Sequence, residues 1–410
     1  MRKGKIAIVS IGYMWFPCEP GPSRFYYLAK IFAEAGFEVD IITSNFQHFQ
    51  KKERDVKKIL AQHYPFRIEF IDVPKYKKNL DIRRIYSNFV AKKKIKKYFE
   101  LYGQKYDAVY CTIPANNVAA EVSCYCKQKN IPFIVDIEDL WPEAMEMVFH
   151  VPILSKFVFY PFHCDAEKVY QNANAVIGTS DEYTNRAFKN RDKNIPFQTV
   201  YVGCDFEKFD SGIALYSSKI KKEKEFWVSY AGSIGASYDI KTLILAAKEL
   251  EDRCLTEIKF KIMGTGPKLE EMQNLLEKLK CENVELMGYI EYPHMAAYLS
   301  KSDVVINSFV KGAPQSIVNK IADYLASGCA MINTLENDEF TIMVNQEKFG
   351  VNIEPENVSA LADTIERFYR DRKMCRQMGN KARMFGEERF SVAKSYHQIL
   401  SMIEKEIDEK

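Results

Sequence analysis

The chain has 410 residues, 47% hydrophobic and 28% charged, with a formal net charge of +3. That length exceeds what one core serves and implies two domains of about 200 residues each, in a protein of ordinary soluble globular composition. The small positive balance argues against a nucleic-acid partner, and no apolar run reaches the roughly 18 residues that a membrane-spanning helix needs.

In chain order, KIAIVS (Lys5–Ser10) reads as a buried strand, too soon after the first residue to follow a secretory leader. The loop GYMWFPCEPGPS comes next, then a helix from about Ser23 to Ala35, a Gly36 stop and the strand FEVDIIT. This strand–helix–strand unit opens a doubly wound parallel sheet. Further strands are expected at Ile68–Val73, Ala108–Cys111, Phe133–Ile137, Ala175–Gly178 and Thr199–Val202. Residues 206–225, ending in the charge run KIKKEKE, read as a linker.

The pattern then restarts. FWVSYA (Phe226–Ala231) is a strand, Gly232–Gly235 a loop and Ile240–Leu250 a helix. Strands at Ile258–Met263, Val284–Met287, Val304–Ile306 and Cys329–Asn333 alternate with helices at about 267–280, 293–300 and 314–327. A last helix, Ala393 to about Glu406, has nothing to pair with in sequence. The fold class is therefore α/β: two Rossmann-like doubly wound domains, 1–205 and 226–390, facing a central cleft, with a terminal segment at 391–410.

The most informative stretch is DVVINSFVKGAPQSIVNKIADYLASGCAMINT, Asp303 to Thr334. A strand runs into a loop broken by Gly312 and Pro314, then a helix that Gly328 ends. A loop entering a helix after a parallel strand aims free N–H groups and a positive dipole end at whatever lies above it, so an anion belongs there. The N–H groups of Gly232–Gly235 and of Ser316 and Ile317 are candidate donors, with Lys320 as the cation for a phosphate. Asp323, about two turns into the expected helix, suits a ribose diol. Gly264-x-Gly266, between a strand and a helix, is a second and less specific phosphate loop.

In the first domain, Asp136, Glu138, Asp139 and Trp141 leave the carboxyl end of a strand, where open α/β sheets place their sites. Glu138 and Asp139 are candidates for base or hydroxyl orienter; the alternative for Asp139 is a helix cap before Pro142. Between Lys75 and Lys105, eleven basic residues face only Asp81 and Glu100 and interleave with apolar side chains. Such a segment can lie on an anionic membrane leaflet; a solvated basic helix is the alternative. Ten cysteines without a C-x-x-C pair imply reduced thiols, and six histidines show no metal spacing, so neither metal nor cofactor is expected.

The strings EPGPSRFYYLAKIFAEAGFEVDIITSNFQHF, VDIEDLWPE, TSDEY, VGCDFEKFD, YAGSIG, MGTGP, VELMGYI and NKIADYLASG, in this order, cover nearly the whole chain. Together they resemble the retaining glycosyltransferases of the GT-B fold (family 4, group 1), in particular bacterial enzymes that build capsules, O-antigens and exopolysaccharides. DLWPE and NK-x-x-D-Y-L-A-x-G resemble transferases for amino- or deoxy-sugars. The resemblance implies an N-terminal acceptor domain, a C-terminal nucleotide-sugar donor domain and a last helix that crosses back. It implies a polyprenyl-diphosphate-linked glycan as acceptor, a UDP-linked donor as the commonest case, and work at the cytoplasmic face of the membrane. Gly21, Gly232, Ser233, Gly235, Gly264, Gly266, Gln315, Ser316, Ile317, Lys320 and Asp323 would hold the donor, and Arg24 and Trp141 the acceptor. Asp323 aligns with the second member of the family's E-x7-E pair and Gln315 with the first; the usual first-loop glycine pair is here Gly21-Pro22. The arginine and lysine that clamp the diphosphate align with uncharged Ser233 and Tyr238, which leaves Lys320, or else Arg24 or Lys241, to supply the charge. Two other readings stand beside this one: a nucleotide-sugar 2-epimerase on the same fold, and a relative that binds nucleotide or lipid without turnover.

Overall fold

The computed structural model describes residues 3–21, 23–79, 81–146, 152–220, 224–313 and 316–409. It divides into two compact units, residues 1–201 with 395–410, and residues 202–394. Among the described residues no helix is long and apolar enough to cross a membrane.

The first unit is a seven-stranded sheet. Its strands are β1 (Lys5–Ser10), β2 (Glu38–Ser44), β3 (Arg67–Ile71), β4 (Ala108–Ile113), β5 (Phe133–Ile137), β6 (Ala175–Gly178) and β7 (Phe197–Thr199). They pair in parallel in the order β3-β2-β1-β4-β5-β6-β7. Helices α1 (Arg24–Glu34), α2 (Ile82–Tyr102) and α3 (Asn116–Lys129) are among its crossovers. Every residue of β4 and β5 is buried, which is why both strands read as largely apolar runs, Asp136 being the charged exception. Val9, Ile42, Val109, Val135 and Val176 pack beneath Ile95 and Phe99 of α2 and Val118 and Val122 of α3.

The second unit repeats the plan with β8 (Phe226–Ala231), β9 (Ile258–Met263), β10 (Val284–Gly288), β11 (Val304–Asn307), β12 (Ala330–Asn333) and β13 (Gly350–Asn352). Their order is β10-β9-β8-β11-β12-β13, again all parallel. The helices that matter below are α4 (Phe206–Tyr216), α5 (Ile240–Asp252), α6 (Tyr292–Lys301) and α7 (Lys320–Ser327). Val228, Ile262, Ile306 and Ile332 form the floor on which Leu243, Ala247 and Leu250 of α5 pack.

Three expectations are corrected. Residues 206–225 are not a plain linker: Asp205 caps α4 through Lys208 N–H at 3.0 Å, and Phe209 is fully buried. Gly212 lets α4 lie against α6, because a Cβ there would stand 2.8 Å from Pro293. The helix expected at 314–327 starts only at Lys320, so Ser316 and Ile317 belong to the loop before it. Pro314 and Gln315 lie outside the described residues, as does Pro22. The last strand of the first sheet is Phe197–Thr199, earlier than Thr199–Val202.

The final helix, α8 (Val392–Asp408), belongs with the first unit from Ser395 onward. What holds it there is also what holds Arg24. The Arg24 guanidinium pairs with Asp136 (Nε–Oδ2 2.7 Å, Nη2–Oδ1 3.3 Å) and donates to the carbonyls of Val200 and Tyr201 at 2.8 and 3.2 Å. Its plane lies 4.9 Å from the Tyr396 ring of α8, and the Tyr110 hydroxyl donates to the same Asp136 carboxylate. Both charged side chains are essentially without solvent. Breaking a buried pair from one side strands the other charge at a cost of about 3–5 kcal/mol. Arg24→Met should therefore lower unfolding free energy in urea by about that amount, and adding Asp136→Leu should recover most of the loss. A single variant as stable as the wild type would show that the pair does not anchor the unit.

Candidate functional site

A doubly wound sheet offers a crevice where its winding reverses, outside the carboxyl ends of two neighbouring strands. In the second unit those strands are β8 and β11. The described residues leaving them, 232–239 and 308–313 with 316–319, include the predicted donor residues Gly232, Ser233, Gly235, Ser316 and Ile317.

Two of those residues do something other than expected. Gly264 has φ +147°, and a Cβ on it would lie 1.8 Å from the Gly232 carbonyl oxygen; one on Gly266 would lie 2.2 Å from that of Ile234. These glycines let the loop after β9 press against the loop after β8, which explains them without a phosphate. The contact is hydrogen-bonded, Gly232 N–H to Met263 O at 3.0 Å and Ile234 N–H to Thr265 O at 2.9 Å. Gly232 and Ile234 are thus withdrawn from the anticipated set of free donors. Ser233 and Gly235 are not drawn into this pairing.

Lys320 is the first residue of α7, and its Nζ is buried with no hydrogen-bond partner among the described residues. The residue as a whole keeps some surface, but the ammonium does not. Three rings surround it, Tyr230 at 4.6 Å, Tyr238 at 4.4 Å and Phe309 at 4.6 Å. Cation–π contacts contribute about 0.5–2 kcal/mol each, whereas an unpaired buried charge costs several kcal/mol. Burial wins, and it holds the proton affinity of Lys320 well below the ordinary lysine range. The positive end of the α7 dipole adds to the misfit. Ser316 Oγ is a second buried polar atom without a partner. Lys241, the lesser candidate, lines a separate cavity of about 340 Å³ in which Tyr238 is the only one of those three rings.

Asp323 follows in the first turn of α7, nearer the helix start than the sequence suggests. Its Oδ1 accepts from the Tyr292 hydroxyl at 2.8 Å, and Cys204 Sγ lies 3.3 Å from that hydroxyl. Burial pushes the carboxyl up to about 6, against the hydrogen bonds from Tyr292 and Cys204. Tyr324, one residue on, ties α7 to β8: its hydroxyl accepts from Ala231 N–H at 2.9 Å and donates to Ala231 O at 3.0 Å.

In the first unit, Glu138 and Asp139 stand at the carboxyl end of β5. Burial first, then the neighbouring Asp136 charge, pushes the Glu138 carboxyl up, favouring its protonated form. Burial also raises Asp139, whose Oδ2 accepts the Trp141 indole N–H at 3.2 Å. Two acceptor assignments are corrected. Arg24 is 4% exposed and spent on Asp136 and two carbonyls. Trp141 is 5% exposed, packed with Met145 and Phe159, and covered by the Arg84 guanidinium at 4.0 Å. Gly21 lies in the loop after β1, where a Cβ would touch nothing.

The sequence reading does not pick out Tyr230, Phe309, Tyr292 or Cys204. Tyr230 and Phe309 end or follow buried strands, so periodicity alone marks them as core, and Tyr292 and Cys204 meet Asp323 only through tertiary packing.

Residues 215–385 match the family model described as glycosyl transferases group 1. An uncharacterized glycosyltransferase of Methanocaldococcus jannaschii is 20% identical over 239 residues, which are 58% of this chain and 60% of that protein; the match thus spans less than two thirds of that relative's length. Among solved structures, the Anabaena HepE protein in complex with UDP superposes with a TM-score of 0.70 at 14% identity, covering 98% of this chain and 100% of that one. Sucrose-phosphate synthase of Thermosynechococcus elongatus superposes at 0.72 with 18% identity, over 99% and 100%. The fold, two Rossmann-like units, is that of the GT-B glycosyltransferases.

A lysine amine buried without a partner, its charged form disfavoured by burial, destabilises the unliganded protein. Replacing it with an apolar side chain of similar length, Lys320→Met, should raise stability by about 1–3 kcal/mol. The melting temperature of the unliganded variant checks this; an unchanged or lower value would contradict the assignment of Lys320 as uncompensated.

Proposed function

We propose that this chain is a retaining glycosyltransferase that moves a sugar from a nucleoside-diphosphate donor to a lipid-linked glycan. The observation that carries the reading is the Lys320 ammonium, buried and unpaired beside the β8–β11 winding reversal and inside the stretch that matches the group 1 model. A donor diphosphate supplies the missing charge, and Ser316 Oγ, with the N–H groups of Ser233 and Gly235, supplements Lys320. Asp323 accepts from the ribose hydroxyls. UDP is the favoured carrier, on the precedent of the UDP-bound HepE structure, and an N-acetylamino sugar is the favoured cargo.

The chemical task is to stabilise negative charge on the departing diphosphate, for which fixed donors and a cation suffice. In front-face attack the leaving phosphate itself accepts the acceptor proton, and the configuration is retained. Neither a metal nor a covalent nucleophile enters this scheme. Glu138 and Asp139 orient an acceptor hydroxyl.

The proposed setting is the cytoplasmic face of the cell membrane, capsule or O-antigen assembly being the corresponding pathway. Its support is the start of α2, where Ile82, Ile85, Tyr86 and Phe89 recur at helical spacing and are 81%, 48%, 59% and 47% exposed. Arg83 and Lys93 flank them, each worth about 1 kcal/mol near an anionic leaflet. The wider basic-aromatic segment contributes less than its composition implies. Lys92 and Lys96 pair with Glu121 and Lys94 with Asp72, while Tyr76, Tyr98 and Phe99 are buried.

The uncharged Ser233 and Tyr238 support the second reading, a relative that binds nucleotide without turnover. Incubation with UDP-sugars and polyprenyl-diphosphate-linked glycan, followed by NMR of the product anomer, separates the two. Transfer with retention, undiminished by EDTA, is expected. Nucleotide binding without transfer would favour the binding protein, and inversion would overturn the retaining scheme.

A pH dependence follows from Asp323. Only the ionised carboxylate accepts two ribose hydroxyls, and its raised value near 6 means the acceptor is lost as pH falls through 6. Nucleotide affinity should be full above pH 7 and about tenfold weaker at pH 5, by roughly one decade per pH unit. Asp323→Asn should flatten the profile. A wild-type affinity independent of pH between 5 and 7 would remove Asp323 from the ribose site.

A further inference from the structure

Three arginines are buried among the described residues, all in the first unit: Arg24, Arg54 and Arg84. Arg24 pairs with Asp136 and Arg54 with Glu19. Arg84, 6% exposed, has no carboxylate within 4.0 Å among the described residues. Its guanidinium donates to the Asn79 carbonyl at 2.9 Å and to the Tyr13 hydroxyl at 2.8 Å, and its Cζ lies over Trp141, 4.0 Å from the ring centre. Asp139, whose carboxyl feels the Arg84 charge, turns its Oδ2 to the Trp141 indole instead.

A second cation stands on the same ring. Lys51 Nζ is 5.7 Å and the Arg84 guanidinium 5.9 Å from the Tyr76 ring centre. Lys51 is held in the left-handed region at φ +54°, a conformation that costs energy for a lysine, and its Nζ donates to the His48 carbonyl. Burial and then the Arg84 charge push Lys51 down to about 8. The remaining neighbours do not compensate: His48, bonded through Nδ1 to the Tyr76 hydroxyl at 2.6 Å, is kept neutral by burial and by the two cations. Two cations thus share the Tyr76 ring, one of them buried, and neither has an acid in contact among the described residues; leaving such charge unpaired is costly.

The surroundings add an apolar platform. Trp15 and Phe49 lie nearly parallel, 8° apart with centroids 5.8 Å apart, and Phe49 is 58% exposed. Tyr13 meets Phe49 edge-on at 5.7 Å. Exposed flat rings beside fixed polar groups are what a saccharide needs, its C–H face stacking while its substituents bond. The loops are held firmly. Arg54 joins Glu19 and the Met14 carbonyl, its Nε reaches the Ser44 carbonyl at 3.1 Å, and His48 N–H donates to Gly12 O at 2.9 Å. All of this gathers at the carboxyl ends of β1, β2 and β3, next to the β1–β4 winding reversal.

We propose that this cluster is the acceptor site, and that it recognises a phosphorylated saccharide. Arg84 and Lys51 take the phosphate or diphosphate, and Trp15 and Phe49 carry the sugar. The proposal rests on the glycosyl-transfer reading, but it assigns the grip to residues other than Arg24 and Trp141. The apolar face of α2, which begins two residues before Arg84 and runs on through Ile85, Tyr86 and Phe89, suits a prenyl chain attached to that phosphate.

The test is tryptophan fluorescence of the full chain titrated with inorganic pyrophosphate, glucose 1-phosphate, farnesyl diphosphate and methyl glucoside, with UDP saturating throughout. The phosphorylated probes should bind saturably and methyl glucoside at least tenfold more weakly. Lys51→Gln should weaken them tenfold or more. Phe49→Ala should weaken glucose 1-phosphate and spare pyrophosphate, with UDP affinity unchanged in both variants. Farnesyl diphosphate binding tighter than pyrophosphate assigns a lipid-linked acceptor, and equal binding assigns a soluble phosphosugar. No saturable binding, or Lys51→Gln and Arg84→Lys both binding as the wild type does, would overturn the site. Pyrophosphate binding that survives in a protein with no affinity for UDP would overturn the donor reading and leave this site standing.

Discussion

A parallel sheet with helices on both faces has to reverse its winding, and this chain does so once in each unit, between β1 and β4 and between β8 and β11. Two connections leave a reversal in opposite directions, so no crossover covers the strand ends there. The loops at those ends can carry side chains that the core does not need. Lys320 and Ser316 follow β11, while Tyr13 and Trp15 follow β1. The functional reading of both units therefore depends on one topological constraint, reached independently in each half.

What distinguishes these places from ordinary crevices is charge left unanswered. Arg24 shows the usual solution for a buried cation in this molecule, a fitted carboxylate with every neighbouring donor used. Lys320 and Arg84 depart from it, one boxed by three rings and the other stacked on Trp141. Aromatic faces soften the cost of such a charge without cancelling it. On the readings proposed above, each such cation trades stability for ligand binding, a common relation between stability and function.

Much of the architecture is legible in the sequence because parallel strands buried on both faces leave unbroken apolar runs such as AVYCTI and FWVSYA. The strand before Lys320 and Asp323 and the helix that carries them are legible too, in the expected order. The helix start is not: Pro314 suits a first helical turn in the sequence, yet Ser316 and Ile317 lie in a loop and the helix begins at Lys320. Arg24 misleads because a charge near a glycine loop looks available, and only the fold brings Asp136, 112 residues away, against it. Gly264 and Gly266 mislead in the same way, their reason being a neighbouring loop rather than a phosphate. Arg84 is concealed by composition, counted among a run of basic residues while it alone turns inward.

The most direct test of the account is calorimetric titration of UDP, GDP and ADP into the wild-type chain and into Lys320→Met. The account predicts that one diphosphate binds the wild type and that the substitution weakens it by at least tenfold while the folded state remains intact. Equal affinity in both proteins, or no diphosphate binding to the wild type, would contradict the claim that the buried ammonium of Lys320 awaits the donor phosphate.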